Sequence, residues 1–179
     1  DNMPSGDSYK LGDVLVSRNG TTIEVKNTDA EGRLVMSDAF GLANEAGVDA
    51  IIDIATLTGA ALMAFGVNRA PVYSNNDALA DAVLAASAAV DEPLWRMPLE
   101  RKYRPQLGSE IAGMPSLGGP YAGATAAALF LDHFAGTTPW AHLDIAGTMQ
   151  TDKDDSYRTA GATGFGARIL LETAAAFAG

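Results

Sequence analysis

The residues best suited to chemistry lie in one short run, Asn27-Thr28-Asp29-Ala30-Glu31-Gly32-Arg33-Leu34. Two carboxylates, a glycine and an arginine fall within positions 29–33. The run follows a stretch typical of a β-strand and precedes a stretch with helical periodicity. A carboxylate pair beside a guanidinium at such a junction could hold a divalent cation next to an anion.

The carboxylates of Asp29 and Glu31 have two interpretations. In an extended segment, side chains at i and i+2 point to the same side, so the pair could share one hard cation or bridge two. Two like charges that close would otherwise repel each other, which favours a cation as their partner. Alternatively, Thr28 and Glu31 have the Thr-x-x-Glu spacing of a helix capping box. The spacing alone favours the cap, but the cap gives Asp29 and Arg33 no role.

Arg33 is predicted to lie in the first turn of the helix that follows. Free backbone amides and the helix dipole favour an anion at that end of a helix. A guanidinium adds two parallel donors that suit a planar oxyanion such as carboxylate or carbonate. The alternative is a surface arginine that pairs with Asp29 or Asp38.

Composition excludes several classes of protein. The chain has 179 residues, is 47% hydrophobic and 19% charged, and contains no cysteine. These values describe a globular domain without disulfides or thiolate metal ligands, and they permit a cytoplasmic location. The net charge of −10 argues against nucleic acid as the main partner, although an ordinary acidic surface explains most of the carboxylates. No apolar run approaches the roughly 18 residues of a membrane-spanning helix, so we expect no membrane association.

Periodicity predicts an α/β fold with parallel strand pairs, in one domain or part of one. Asn19-Gly20 predicts a hairpin turn, Gly47 a helix end, and Asn76 or Asp77 a helix start. One face of the first predicted helix is expected to carry Leu34, Met36, Phe40 and Ala43. Residues 50–55 are expected to form a buried, parallel strand. The predicted strands are 13–17, 21–26, 50–55, 69–74 and 140–146. The predicted helices are 33–46, 59–65, 77–90, 100–106, 122–135 and 164–178; residues 93–120 otherwise read as irregular and 147–161 as a loop.

Three further stretches have structural interpretations beside chemical ones. Thr56-Leu57-Thr58-Gly59 is typical of a strand-to-helix turn capped by Thr58. His142 and Asp144 share one face of a predicted strand and could form a metal pair, but a structural histidine is the better interpretation. The charged run at 152–155 is most simply a solvated loop, and the apolar helix 122–135 is most simply core.

Several blocks together resemble the leucyl (cytosol) aminopeptidases, the two-metal exopeptidases of the M17 peptidase family. The similarity includes the octapeptide above and extends, in the family's order and spacing, over essentially the whole chain. The matching blocks are Asn2-Met3-Pro4-Ser5-Gly6, Gly12-Asp13-Val14, Asp53-Ile54-Ala55-Thr56-Leu57-Thr58-Gly59-Ala60, Trp140-Ala141-His142-Leu143-Asp144-Ile145-Ala146-Gly147 and Gly161-Ala162-Thr163-Gly164-Phe165-Gly166. The resemblance implies a mixed, partly parallel sheet flanked by helices.

The resemblance also implies roles for the octapeptide. Asp29 and Glu31 match carboxylates that bind two divalent metal ions, zinc or manganese. Glu31 would bridge the two ions, and the backbone carbonyl of Asp29 would contribute as well. Arg33 matches an arginine that holds a carbonate (bicarbonate) ion near the metals. That ion acts as general base toward the attacking water.

The resemblance implies a substrate site from later blocks. Thr56 and Leu57 match positions whose backbone contacts the peptide. Thr56, Gly59, Ala146 and Met149 match positions that line the pocket for the N-terminal side chain. The implied activity is removal of N-terminal leucine and other apolar residues from peptides by a cytoplasmic metalloaminopeptidase, which is a homohexamer in this family.

Other family groups have no counterpart in this sequence. The family's metal-binding lysine, two further aspartates and catalytic lysine precede the segment that here begins at residue 2, and the chain starts with Asp1. We therefore expect residues 1–179 to be the C-terminal portion of the catalytic domain, without the N-terminal domain and upstream catalytic segment, with an exposed sheet edge or face, and inactive alone. The rival hypothesis is a non-catalytic structural or binding module that retains the fold, possibly one that binds DNA.

Overall fold

A computed structural model describes residues 3–155 and 157–177. The described residues form two compact units, each built from two separate stretches of chain. The first unit contains residues up to 51 and residues 99–138; the second contains residues 52–98 and those from 139 onward. None of the described helices combines the length and the hydropathy needed to cross a bilayer.

The first unit contains a three-stranded sheet and two long helices. The strands are β1 (Val14–Val16), β2 (Thr22–Glu24) and β6 (Met114–Pro115), in the order β1-β2-β6. The helices are α1 (Glu31–Ala46), α4 (Gly123–Ala135) and a 3-10 helix at Arg101–Leu107. β1 and β2 are antiparallel, with Leu15 opposite Ile23, and β2 and β6 are parallel.

The predicted hairpin is confirmed. Its turn closes through a hydrogen bond from the Gly20 N–H to the Ser17 carbonyl at 2.8 Å, and Gly20 has a φ of 85°. Only glycine adopts that conformation without strain, which explains why Asn19-Gly20 sits at the tip.

Helix α4 forms the centre of the first unit, as predicted. Leu129, Phe130 and Leu131 are all fully buried, so successive residues around the helix are covered. Helix α1 packs against it, and the Asn44 Nδ2 donates to the Phe134 carbonyl at 2.8 Å.

The prediction of which α1 residues share the buried face is only partly correct. Phe40 is buried, but Leu34, Met36 and Ala43 are only half-buried. The buried stripe consists of Arg33, Ser37, Phe40 and Gly41. The stripe includes a polar and a charged residue because tertiary contacts, as well as hydropathy, determine which residues of the helix are covered. Gly41, for example, lies against the aliphatic part of the Arg18 side chain.

The second unit contains a four-stranded mixed sheet and three helices. The strands are β3 (Ile51–Ala55, whose first residue falls in the other unit), β4 (Ala70–Ser74), β5 (Leu94–Arg96) and β7 (Trp140–Asp144), in the order β3-β7-β4-β5. The helices are α2 (Gly59–Phe65), α3 (Asp77–Ala89) and α5 (Ala167–Phe177). β8 (Gln150–Thr151) pairs with β9 (Gly161–Ala162) in a separate antiparallel ribbon.

β4 pairs in parallel with β5 and antiparallel with β7. The predicted mixed, partly parallel sheet is thus confirmed. β7 is central and buried at every residue, with Trp140, Leu143 and Ile169 of α5 among the fully buried side chains.

The strand predicted at 50–55 is confirmed as β3, but its predicted burial is wrong. β3 lies at the end of the strand order, and only Ile51 is buried whereas its other four residues are half-buried. An apolar run indicates a strand, but its burial depends on whether both neighbouring positions in the sheet are occupied.

The ends of several elements follow local sequence rules. The Asn76 side chain accepts from the Leu79 N–H at 2.9 Å and caps α3, and Gly47 ends α1 in the left-handed conformation. Both features were predicted. β5, β6, β8 and β9 were missed because runs of two or three residues are too short to show a strand period. Residue 178 of the predicted last helix lies outside the described residues.

Candidate functional site

The octapeptide forms a tight turn between β2 and α1. The Asp29 N–H donates to the Asn27 Oδ1 at 2.9 Å, and the Ala30 N–H donates to the Asn27 carbonyl at 3.3 Å. The expectation of an extended segment is therefore wrong, because these two bonds fold the chain back before the helix begins at Glu31.

The alternative of a capping box is also not realised. Ala30 occupies the N-cap position, and no side chain caps the helix. Asp29 is exposed and Glu31 is half-buried. Within the described ranges 3–155 and 157–177, neither carboxylate takes part in a side-chain hydrogen bond or ion pair, so both retain acceptor capacity for a cation.

Arg33 lies in the first turn of α1 with only 4% of its surface exposed. The interpretation of Arg33 as a surface arginine is therefore wrong. Asp38, its suggested partner, accepts the Arg18 N–H at 2.7 Å instead. A buried guanidinium in a helix turn whose amides lack a side-chain cap gives a positive environment that suits a small anion.

A tyrosine supports the turn from outside the motif. The Tyr9 hydroxyl donates to the Thr28 carbonyl at 3.2 Å. Burial and, secondarily, the negative charge of Glu31 raise the pKa of Tyr9, so the phenol stays protonated and remains a donor. Nothing in the sequence pattern indicated this contact, because 19 residues separate the two partners.

The donor set suits hard divalent ions but is small. Carboxylate oxygens are ligands for manganese, and zinc also accepts them. Among the residues that the structure describes, no group of three or more His, Cys, Asp or Glu side chains is arranged to hold a metal. Asp29 and Glu31 thus fit a partial metal site.

The predicted substrate residues lie in the second unit, after the ends of β3 and β7. Thr58 caps α2: its Oγ1 accepts from the Ala61 N–H at 3.0 Å, as the sequence indicated. Thr56 and Leu57 precede this cap, and Gly59 is the first residue of the helix. No atom lies within 4 Å of a Cβ built on Gly59, so this position faces open space.

Ala146 and Met149 line a cavity of about 280 Å³ together with Leu62 and Val67 of the α2 region. Asn68 and the β8–β9 segment complete the wall, and the charged lining residues are Asp152, Lys153, Asp155 and Arg158. Thr56, Leu57 and Gly59 are not among its lining residues. The structure thus brings two of the five predicted substrate residues into one cavity, and sequence reasoning missed Leu62, Val67 and Asn68.

His142 and Asp144 use separate partners. The His142 Nδ1 lies 2.5 Å from the Asp53 Oδ1, and the Trp140 Nε1 donates to the Asp53 Oδ2 at 2.7 Å. The His142 ring lies nearly parallel to that of Trp140, with centroids 6.3 Å apart, and at 22° to that of Tyr73, with centroids 6.4 Å apart. These contacts describe a structural histidine.

Comparison with known proteins gives the family. Residues 1–171 match the family model described as the cytosol aminopeptidase family, catalytic domain. The chain belongs to the cytosol aminopeptidase family. It is 50% identical over 171 residues to a probable cytosol aminopeptidase of Cyanothece sp. and 51% identical over 172 residues to one of Thermosynechococcus vestitus. It is also 50% identical over 171 residues to one of Nostoc punctiforme.

Each of these alignments covers 96% of this chain but 35% of the relative. The chain thus spans about a third of the length of the curated relatives that it matches. The match supports the resemblance that the sequence blocks indicated, and the mixed sheet flanked by helices agrees with part of that catalytic domain.

Gly147, beside the cavity, should not tolerate a side chain. A Cβ at this position would lie 2.0 Å from the Gly66 carbonyl oxygen, so the backbone must shift. We expect Gly147→Ala to lower the free energy of unfolding of the intact protein by about 1–3 kcal/mol, measured by urea denaturation. Gly59→Ala is the matched control and should leave the midpoint unchanged or raise it. Equal midpoints for Gly147→Ala and the wild type would contradict the close approach.

Proposed function

We propose that the protein to which these residues belong is a cytoplasmic two-metal aminopeptidase that removes N-terminal leucine and other apolar residues from peptides. The observation that carries the proposal is the pair of available carboxylates, Asp29 and Glu31, in the turn before a helix whose first turn contains the buried Arg33. Membership of the cytosol aminopeptidase family supports it.

In this proposal, bound zinc or manganese ions would supply an activated water for attack on the peptide carbonyl. Asp29 and Glu31 would hold the ions through their carboxylates, with Glu31 as the shared ligand. Arg33 would hold a carbonate ion through its guanidinium and orient it to accept a proton from that water. The carbon–nitrogen bond would break, the released residue would keep the water's oxygen in its carboxylate, and the leaving nitrogen would take up the proton from the carbonate, so that the shortened peptide departs with a free amine.

The second unit would supply selectivity. Thr56 and Leu57 contact the substrate backbone, and Thr56, Gly59, Ala146 and Met149 surround the N-terminal side chain. The apolar cavity residues Leu62, Val67, Ala146 and Met149 support a preference for apolar side chains.

Assembly and partners follow the family in this proposal. We infer a homohexamer for the intact protein, with peptides as substrates and neither membranes nor nucleic acid as partners. No observation favours the rival hypothesis of a non-catalytic or DNA-binding module, and the net charge of −10 opposes contact with phosphate backbones.

Glu31→Gln in the intact protein tests the bridging carboxylate. Neutralising a shared ligand should lower kcat for leucine p-nitroanilide about a thousandfold or more, which corresponds to about 4 kcal/mol of barrier. Glu45→Gln is the matched control, since Glu45 lies on the same helix but pairs with Arg18 at 2.8 Å. Near-normal turnover by Glu31→Gln would refute the role.

The 179-residue chain by itself should show little or no turnover. Two carboxylates bind a divalent ion weakly, and a two-metal hydrolase needs more ligands than this pair. The measurement is leucine p-nitroanilide hydrolysis during a manganese titration, with the intact protein as the positive control. Substantial hydrolysis by the purified 179-residue chain would contradict the claim that Asp29 and Glu31 are too few ligands for activity.

A further inference from the structure

Asp144, the last residue of β7, is a buried carboxylate with an unusual set of partners. Only 1% of its surface is exposed. Its Oδ1 accepts the N–H groups of Leu57 at 3.1 Å, Thr58 at 3.3 Å and Ala146 at 3.3 Å. Its Oδ2 accepts the Thr58 hydroxyl at 2.7 Å.

These partners account for the burial of a charge. A carboxylate in the interior is costly unless it is paired or hydrogen-bonded, and bonds to an ionised acceptor are stronger than neutral ones. In the described part of the chain no Lys, Arg or His side chain forms an ion pair with Asp144, and the histidine two positions earlier bonds to Asp53 instead. The acceptor capacity of Asp144 is therefore directed at backbone amides and one hydroxyl.

The amides belong to two loops that are distant in sequence. Leu57 and Thr58 follow β3, whereas Ala146 follows β7, and 86 or 87 residues separate Asp144 from the first loop. A single oxygen, Oδ1, therefore contacts both loops. A further bond from the Ile145 N–H to the Ala55 carbonyl at 2.8 Å joins the residue after β7 to the end of β3.

The network continues into both parts of the predicted substrate site. Thr58, which donates to Asp144, also accepts the Ala61 N–H in the first turn of α2. Leu62 of the same helix lines the cavity. Ala146 lines the cavity directly. Asp144 itself is not a lining residue, so any effect on substrate acts through the loops.

We propose that Asp144 is a positioning residue that sets the distance between the substrate-backbone segment at Thr56-Leu57 and the side-chain cavity at Ala146–Met149. This inference rests on the proposed aminopeptidase function. A displacement of about 1 Å in a bound substrate can lower a rate by about a hundredfold. Because the two loops fix different parts of the same residue of substrate, a shift between them alters the discrimination between N-terminal side chains.

The test uses the intact, manganese-loaded protein and compares leucine with alanine p-nitroanilide. Asp144→Ala should lower kcat/KM for the leucine substrate about a hundredfold, mainly through kcat, and should reduce the leucine-to-alanine ratio about tenfold. Asp144→Asn should restore the ratio to within about threefold, because its carbonyl oxygen still accepts the amides while its NH₂ group donates to the Thr58 hydroxyl. The manganese dissociation constant should stay unchanged in both variants.

Two further variants keep the test decisive. Trp140→Phe is the control, since it removes the bond to Asp53 from the same strand; it should lower stability without changing the ratio. If Asp144→Ala fails to fold, Thr58→Val, compared with Thr58→Ser, removes the hydroxyl bond to Oδ2 and should shift the ratio in the same direction.

The possible outcomes distinguish failure of the positioning role of Asp144 from failure of the proposed aminopeptidase function. If the wild-type protein turns over both substrates but folded Asp144→Ala or Thr58→Val shows an unchanged ratio and an unchanged kcat, the positioning role alone would be overturned. Absence of wild-type turnover on either substrate would overturn the proposed function and this inference with it.

Discussion

The turn between β2 and α1 imposes the constraint on which the functional account depends. Within five residues the chain must end a turn, begin a helix, present two carboxylates and bury a guanidinium. Asn27 makes this possible, because its side chain and its carbonyl each accept an N–H from the turn. Since Asn27 makes the hydrogen bonds of the turn, the side chains of Asp29 and Glu31 do not cap the helix.

The functional carboxylates of the two units differ in burial and in hydrogen bonding. At α1 the carboxylates are exposed or half-buried and available, whereas Arg33 is buried beside them in sequence. In the second unit Asp144 is buried and fully engaged by amides and a hydroxyl. A carboxylate without hydrogen-bond partners can exchange water for a metal ion, whereas the oxygens of a buried, hydrogen-bonded one are already occupied, so it suits a structural task.

The sequence predicted features whose causes are local. Asn19-Gly20, Gly47 and Asn76 each act within a few residues, through a required φ or a side-chain cap, and each was placed correctly. The family assignment was also accessible, because separate blocks occur in a fixed order over the chain.

Features with long-range causes were not accessible. The half-burial of β3 depends on its place at the end of a strand order, and the extended form expected at Asp29 was overridden by the Asn27 turn. The role of Asp144 depends on two loops that meet only after β3 and β7 have joined one sheet. A signal existed, since an aspartate ending an apolar strand needs amide donors, but the sequence does not say which amides.

The most direct test of the central claim is anomalous diffraction from manganese-soaked crystals of the intact protein. The account predicts anomalous peaks with oxygens of both Asp29 and Glu31 among the ligands, at about 2.0–2.3 Å, and Glu31 shared between two ions. Manganese peaks ligated by neither residue, or no peak beside the start of α1, would contradict it.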